Sequence, residues 1–248
     1  MQTKSEKTQC TFRSTLNVTF LRISETGQWR VPTCIPDSIL RLCFNCHINE
    51  AFHHSNLTLD VPYSWPKNLQ NLEIQKTFFA NRENFFQSIP ATLKKITITL
   101  CTEPLKSFPR NWTLKNSIEK VTISWCSVSE IQGSSLKNLK FLTFLSLISN
   151  DIKNLPDFFP STLQYLYIDK NKISSVKNVR WVSLIHLVSL SMSHNTLKQM
   201  PNTLPASIQD LDLSNNLITS INPGYFNKLK ILKNLDLSLN RLVNSLTD

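Results

Sequence analysis

The sequence predicts an α/β solenoid: stacked coils with a parallel β-sheet on the concave face and short helices, 3-10 turns or extended segments on the convex face. Three observations predict it. A frame L-x-x-L-x-L-x-x-N-x-L recurs about ten times in register along the 248 residues. Each L-x-L core has the two-residue period of a strand, and each is too short to bury its apolar face except against the next copy. Only three glycines accompany twelve prolines, so turns rest on Asn, Ser and Pro, and a glycine-rich phosphate loop is nearly excluded.

The copies can be followed along the chain. Weak ones open at Val18 (VTFLRI) and Ile39 (ILRLCF), and Leu69 (LQNLEIQKTFF) opens one with Thr77 in the asparagine slot. Those of Leu93 (LKKITITLC) and Ile118 (IEKVTISWCSV) carry Cys101 and Cys126 there. The asparagine returns in the copies opening at Leu142, Leu163, Leu187, Ile208 and Leu232, as in LVSLSMSHNTL and ILKNLDLSLNRL. It should turn the chain out of the strand and satisfy backbone groups of the neighbouring coil. A small polarizable cysteine fits the same buried slot, and Cys101 and Cys126 are expected there as buried thiols.

From Ile118 the openings alternate long and short units. The short ones place proline three residues before the opening, at Pro160 and Pro205, and Pro36, Pro66 and Pro90 share that offset. Proline pre-sets an extended approach to the strand and needs no ladder donor. The long units instead carry Leu136, Leu139 and Leu142, then Trp181, Leu184 and Leu187, then Phe226, Leu229 and Leu232, a helical spacing on the convex side.

In this repeat grammar the chain resembles the leucine-rich repeat superfamily over nearly its full length, which implies a horseshoe. The short–long alternation with L-P-x-x-x-P and M-P-x-x-L-P strings is similar to that of small leucine-rich proteoglycans, Toll-like receptor ectodomains and repeat-bearing receptor-kinase ectodomains. The proteoglycans' four-cysteine cap is absent; Cys10 and Cys34 flank the first coil, where they would form a simpler disulfide cap. Residues 1–17 are read as an N-terminal cap or flank and 18–248 as one repeat domain. The frame runs on without a capping segment, so further repeats beyond Asp248, or a homodimer, are expected to cover that end. The resemblance implies a receptor-type or secreted glycoprotein with a role in signal transduction.

Composition bounds the partners. Lys and Arg number 27 against 17 Asp and Glu, a net charge of +10 that favours anionic partners, a polyanionic glycan among them. No nucleic-acid-binding motif is present, so no nucleic acid is expected. Sequons at Asn17, Asn56 and Asn111 are candidate glycosylation sites, although chance alone would supply as many. No apolar run could cross a bilayer and no secretory h-region precedes the repeats. Two classes stay open: an extracellular or cell-surface recognition module, and a cytoplasmic scaffold, regulatory subunit or pathogen effector.

Counting each repeat from its opening residue, the third, fifth, seventh and eighth places should face a ligand. Arg22, Arg41, Lys76, Lys95 and Lys120 form a basic flank, and Leu100, Trp125, Phe144, Ile148, Tyr165 and Tyr167 an aromatic-apolar centre. Asp169, Asp210, Asp212 and Asp236 form an acidic flank. Large aromatics on a sheet face are the residues that anchor protein interfaces, so the expected function is binding of a protein ligand on the concave face.

Catalysis finds no support. His186 falls in a convex segment, His194 at an eighth place, and His47, His53 and His54 in the irregular N-terminal region; no G-x-S-x-G or H-E-x-x-H string occurs. Neither enzyme nor cofactor is expected within these residues. Cys43-x-x-Cys46-His47 is the string to which a c-type haem attaches. The frame makes Leu42 and Phe44 inward strand residues and Cys43 ligand-facing, with no room for a haem. Zinc held by Cys43, Cys46, His47 and one of His53 or His54 is the metal alternative to a disulfide or free thiols; no metal is expected.

Overall fold

The computed structural model describes residues 20–23, 27–30, 37–44, 57–60, 65–79, 82–109 and 117–243. Ten parallel strands form one sheet whose order follows the chain: Phe20–Ile23, Arg41–Phe44, Asn71–Gln75, Lys95–Thr99, Lys120–Ser124, Phe144–Ser146, Tyr165–Tyr167, Ser189–Ser191, Asp210–Asp212 and Asn234–Asp236. Each pairs with the equivalent residues of the next coil, Leu145 with Val121 and Leu166 for example. The frame's inward positions therefore stack: Leu72, Ile96, Val121, Leu145, Leu166 and Leu190 are fully buried, as are Ile74, Ile98, Ile123, Leu147, Ile168 and Met192. In the coil of Leu232, Leu235 and Leu242 are exposed.

The back of the coils is irregular. Gly27–Arg30, Leu57–Asp60 and Thr77–Phe79 form a three-stranded parallel sheet, and Lys106–Ser107 pairs with Val128–Glu130. A single α-helix among the described residues, Arg82–Ser88, packs Phe85 against Phe79 and Trp65 at ring-centroid distances of 4.9 and 5.7 Å.

The long units' helical spacing produces 3-10 turns, at Gly133–Leu136, Trp181–Ser183 and Tyr225–Lys228. A repeat of three puts apolar residues on one line only in a helix of three residues per turn. Backbone bonds confirm the geometry: Leu139 N–H donates to Leu136 O and Leu142 N–H to Leu139 O, both at 3.1 Å, and Leu187 N–H donates to Leu184 O at 2.9 Å. The prolines three residues before an opening do the same work. Pro66, Pro90, Pro160 and Pro205 each accept from the N–H of the opening residue three positions on, at 3.0–3.3 Å. Proline is tolerated because this position is used as an acceptor.

Each asparagine stitches its coil to the one before. Asn171 Oδ1 accepts from Ile152 N–H, Asn195 Oδ1 from Ile173 N–H and Asn216 Oδ1 from Leu197 N–H, all at 3.0 Å, while their Nδ2 groups donate to Leu147, Ile168 and Met192 carbonyls. Asn150 Oδ1 serves the N–H groups of both Cys126 and Val128. There the ladder changes chemistry. Cys101 and Cys126, expected as buried thiols, form a disulfide between adjacent coils. The equivalence of their slots brings the Cα atoms within 4.6 Å, close enough to bridge without backbone movement.

Tyr225 ties the last 3-10 turn to the preceding coil. It follows Gly224, whose φ of 72° suits glycine, and its phenol donates to Pro201 O at 2.7 Å. Burial raises the Tyr225 pKa above the ordinary value near 10. The folded state thus holds this proton more tightly than the unfolded chain, and its contribution is present below pH 10 and lost as pH rises beyond it. Tyr225→Phe should cost about 1 kcal/mol at neutral pH. Urea unfolding at pH 7 and pH 11 should show the gap between variant and wild type shrinking at the higher pH.

Candidate functional site

The strand register fixes which side chains share the concave face. The third places run Arg41, Asn71, Lys95, Lys120, Phe144, Tyr165, Ser189, Asp210 and Asn234 across successive strands. The fifth places run Cys43, Glu73, Thr97, Thr122, Ser146, Tyr167, Ser191, Asp212 and Asp236. The expected order of basic flank, aromatic centre and acidic flank is therefore a spatial one.

At the centre, Phe144 stacks edge-on to Tyr167 at 5.5 Å between ring centroids and lies 6.2 Å from Tyr165. Tyr165 is exposed, while Phe144, Tyr167 and Ile148 are half-buried. The three rings thus form one cluster through Phe144, exposed to a partner chiefly at Tyr165. Lys95 and Lys120 are exposed beside it. Among the described residues the ion pairs are Lys67–Asp37, Lys94–Glu119 and Lys172–Asp151, so neither lysine on the face is neutralised by one.

Leu100 and Trp125 occupy a different place. Both are eighth-place residues just beyond the strand ends, 42% and 58% exposed, with φ of 56° and 59°. The left-handed conformation recurs at every eighth place from Lys76 through Ser149, Lys170, His194 and Asn215 to Leu239. Asn tolerates it; Leu and Trp do so at a cost of about 1–2 kcal/mol each. Bulky apolar side chains held strained and exposed gain nothing for the fold in that position. They flank the Cys101–Cys126 bridge, and Cys101 N–H donates to Trp125 O at 3.1 Å. The sequence marks the eighth place only by its position before the asparagine slot.

Two expected contact residues are withdrawn into the protein. Asp169 is only 9% exposed: its Oδ1 accepts from Ser193 N–H and Ser193 Oγ, each at 2.8 Å, and from Ser191 Oγ. The strand has ended by this seventh place, so the carboxylate points along the turn into the next coil. Cys43, expected to face a ligand, is 2% exposed and disulfide-bonded, which removes it from any zinc site. Asp212 remains half-exposed, its Oδ1 held by Ser214 N–H and Oγ; hydrogen bonding from the Ser238 side chain, and then from the Ser238 N–H to Asp236 Oδ1, holds the Asp236 carboxyl below its ordinary value. Asp210 accepts from Asn234. Arg22 lies in the first strand, but its side chain is outside the described ones. Cys10, Cys34, Cys46, His47, His53, His54 and the sequon residues Asn17, Asn56 and Asn111 lie outside the described residues. His186 and His194 are exposed.

Comparison with known proteins gives one family and several likenesses. A leucine rich repeat model matches residues 206–246. Fibromodulin of Bos taurus is 39% identical over 61 residues, 24% of this chain and 16% of that protein. Fibromodulin of Sus scrofa is 38% identical over 61 residues, 24% of this chain and 42% of that sequence. The chain thus spans less than half the length of these relatives. Among solved structures, a leucine-rich repeat protein of Leptospira interrogans superposes with a TM-score of 0.60 at 23% identity, over 84% of this chain and 51% of that one. TLR13 in its complex with ssRNA13 gives 0.61 at 21% identity, over 77% and 29%. YopM of Yersinia enterocolitica gives 0.58 at 18% identity, over 92% and 43%. At these identities the structural likenesses concern the fold.

Proposed function

The chain is a leucine-rich repeat protein, and we propose that it is a non-catalytic recognition module that seats a protein ligand on its concave sheet. The observation that carries this reading is the cluster of Phe144, Tyr165 and Tyr167, set beside the exposed Lys95 and Lys120, which no ion pair neutralises among the described residues. A core packs such rings away from solvent, whereas an interface leaves them where a partner can cover them. Leu100 and Trp125 extend the apolar surface at the sheet edge.

We place the module outside the cell or on its surface. The disulfide chemistry of Cys101, Cys126 and Cys43 favours an oxidising compartment, and the local identity to fibromodulin agrees. Thiol titration of denatured, unreduced protein from its native source should find fewer than the six thiols the sequence could offer. Six free thiols would favour the cytoplasmic alternative.

The binding reading is tested on an array of purified ectodomains probed with the labelled chain. For any partner found, Tyr165→Ala and Trp125→Ala should each weaken binding about tenfold, with circular dichroism and Tm unchanged. Normal binding by both variants would remove the concave centre as the site.

A further inference from the structure

The charge order across the concave face specifies more than a generic protein ligand. We propose that the face reads an amphipathic helix whose charges are segregated: acidic at its N-terminal end, aromatic or aliphatic in the middle and basic at its C-terminal end. This rests on the concave-face reading above and adds the partner's shape and polarity.

The shape follows from the backbone. The strands carrying the aromatic cluster are paired on both sides, Phe144–Ser146 with Lys120–Thr122 and Tyr165–Tyr167 with Ser189–Ser191. They have no free backbone groups to accept an added strand. An extended peptide crossing them would leave its own N–H and C=O groups facing side chains, whereas a helix satisfies them internally. At about 4.8 Å per strand, Lys120 and Asp210 are four strands and about 19 Å apart, and Lys95 and Asp236 six strands and about 29 Å apart. A helix rising 1.5 Å per residue spans these distances in about 13–19 residues.

The polarity follows from the two flanks. A hollow of about 260 Å³ lies on the basic side, lined by Arg41, Asn71, Glu73, Lys95 and Thr97 among others. One of about 400 Å³ lies on the acidic side, lined by Asp210, Asp212, Asp236, Ser191 and Asn234 among others, with Lys233 the one base in its lining. Glu73 interrupts the basic flank but accepts a bond from the Gln75 amide at 3.1 Å. A ligand with acidic residues over Lys95 and Lys120 and basic residues over Asp210 and Asp236 is complementary at both ends, and a ligand of uniform charge is repelled at one. Acidic-first order also stabilises the helix itself through its dipole.

Two labelled synthetic peptides of about 18 residues test this, identical in composition and apolar stripe. One carries Glu in its first third and Lys in its last; the other has them alternating along its length. Fluorescence anisotropy should show the segregated peptide binding about tenfold tighter. Lys95→Glu/Lys120→Glu, or Asp210→Lys/Asp236→Lys, should each reduce its affinity about tenfold. Combining all four substitutions should restore it, because the helix can turn end for end. No preference between peptides, no binding of either, or a four-fold variant that stays weak would overturn the proposal. Equal binding of both peptides that Tyr165→Ala weakens would keep the concave site and discard the charge order. Peptide binding indifferent to Tyr165→Ala would discard the concave site as well. Heparin binding lost with Lys95→Glu/Lys120→Glu, without peptide preference, would assign the basic flank to a polyanion instead.

Discussion

Asn195→Ala should lower the free energy of unfolding by about 3 kcal/mol, although it removes only a small polar side chain. Asn195 is 7% exposed, and its surroundings include Ile168, Ile173 and Met192, all fully buried. Its Oδ1 takes the Ile173 N–H, and its Nδ2 supplies the carbonyls of Ile168, Met192 and Ser193 at 3.0–3.2 Å. Alanine leaves the Ile173 N–H without a partner in an apolar interior, at about 1–3 kcal/mol, and takes a second donor from three carbonyls, at about 0.5 kcal/mol each or more. Ile168 O keeps Asn171, Met192 O keeps Asn216 and Ser193 O keeps the Lys170 N–H. A water entering the vacated space would recover part of this, which sets the expectation at the lower end of the sum. The control is its neighbour: Asn215 lies at a left-handed eighth place and is half-exposed, so Asn215→Ala should cost about 1 kcal/mol, through backbone preference alone. Urea unfolding measures both. A loss under about 1 kcal/mol for Asn195→Ala would mean that the ladder is replaceable by solvent.

That ladder was legible in the sequence because one residue type recurs in one slot and its amide both donates and accepts. The inward strand residues were legible for the same reason: the period of two leaves no choice of face once the coils stack. The apolar spacing of Leu136, Leu139 and Leu142 marked a helical segment on the convex side without choosing its type, and the structure makes it a series of 3-10 turns. What could not be read was whatever depends on contacts between coils. Asp169 and Asp212 look alike as acidic face residues, yet Asp169 falls one turn beyond its strand, where Ser193 of the next coil closes over it. The eighth places hold Lys, Leu, Trp, Ser, His and Asn, side chains with no shared chemistry, so their common φ comes from the coil geometry and not from local preference. Of the candidate site, the rows and their charge order were legible; the strain at Leu100 and Trp125 was not.

Cys101 and Cys126 lie between these two cases, and removing their bridge is the other large effect. The double variant Cys101→Ala/Cys126→Ala should lose about 3 kcal/mol of stability. The bridge spans a sequence separation of 25 residues, and cutting it returns that loop's freedom to the unfolded chain. No asparagine replaces it at this point of the ladder: Asn150 reaches back to Cys126, Val128 and the Ile123 carbonyl, and not to the coil of Cys101. The bridge also sits directly after the two strained residues. Without it, the backbone at Leu100 and Trp125 is held by the N–H groups of Leu100 and Cys101, donating to Ser124 and Trp125 carbonyls, and by Trp125 N–H, donating to Ser149 O. Relaxation from the left-handed conformation is then favoured locally, and any partner contact through Trp125 should weaken together with stability. Hydrogen exchange separates this from a global effect: protection should fall in Lys95–Thr99 and Lys120–Ser124 and persist in Ser189–Ser191. Reductant should reproduce the loss of protection at these two strands in the wild type and add little there in the double variant, its effect through the Cys43 bridge being common to both. Equal unfolding midpoints for wild type and double variant, with unaltered exchange at these strands, would show that the cysteines pack the slot without bracing it.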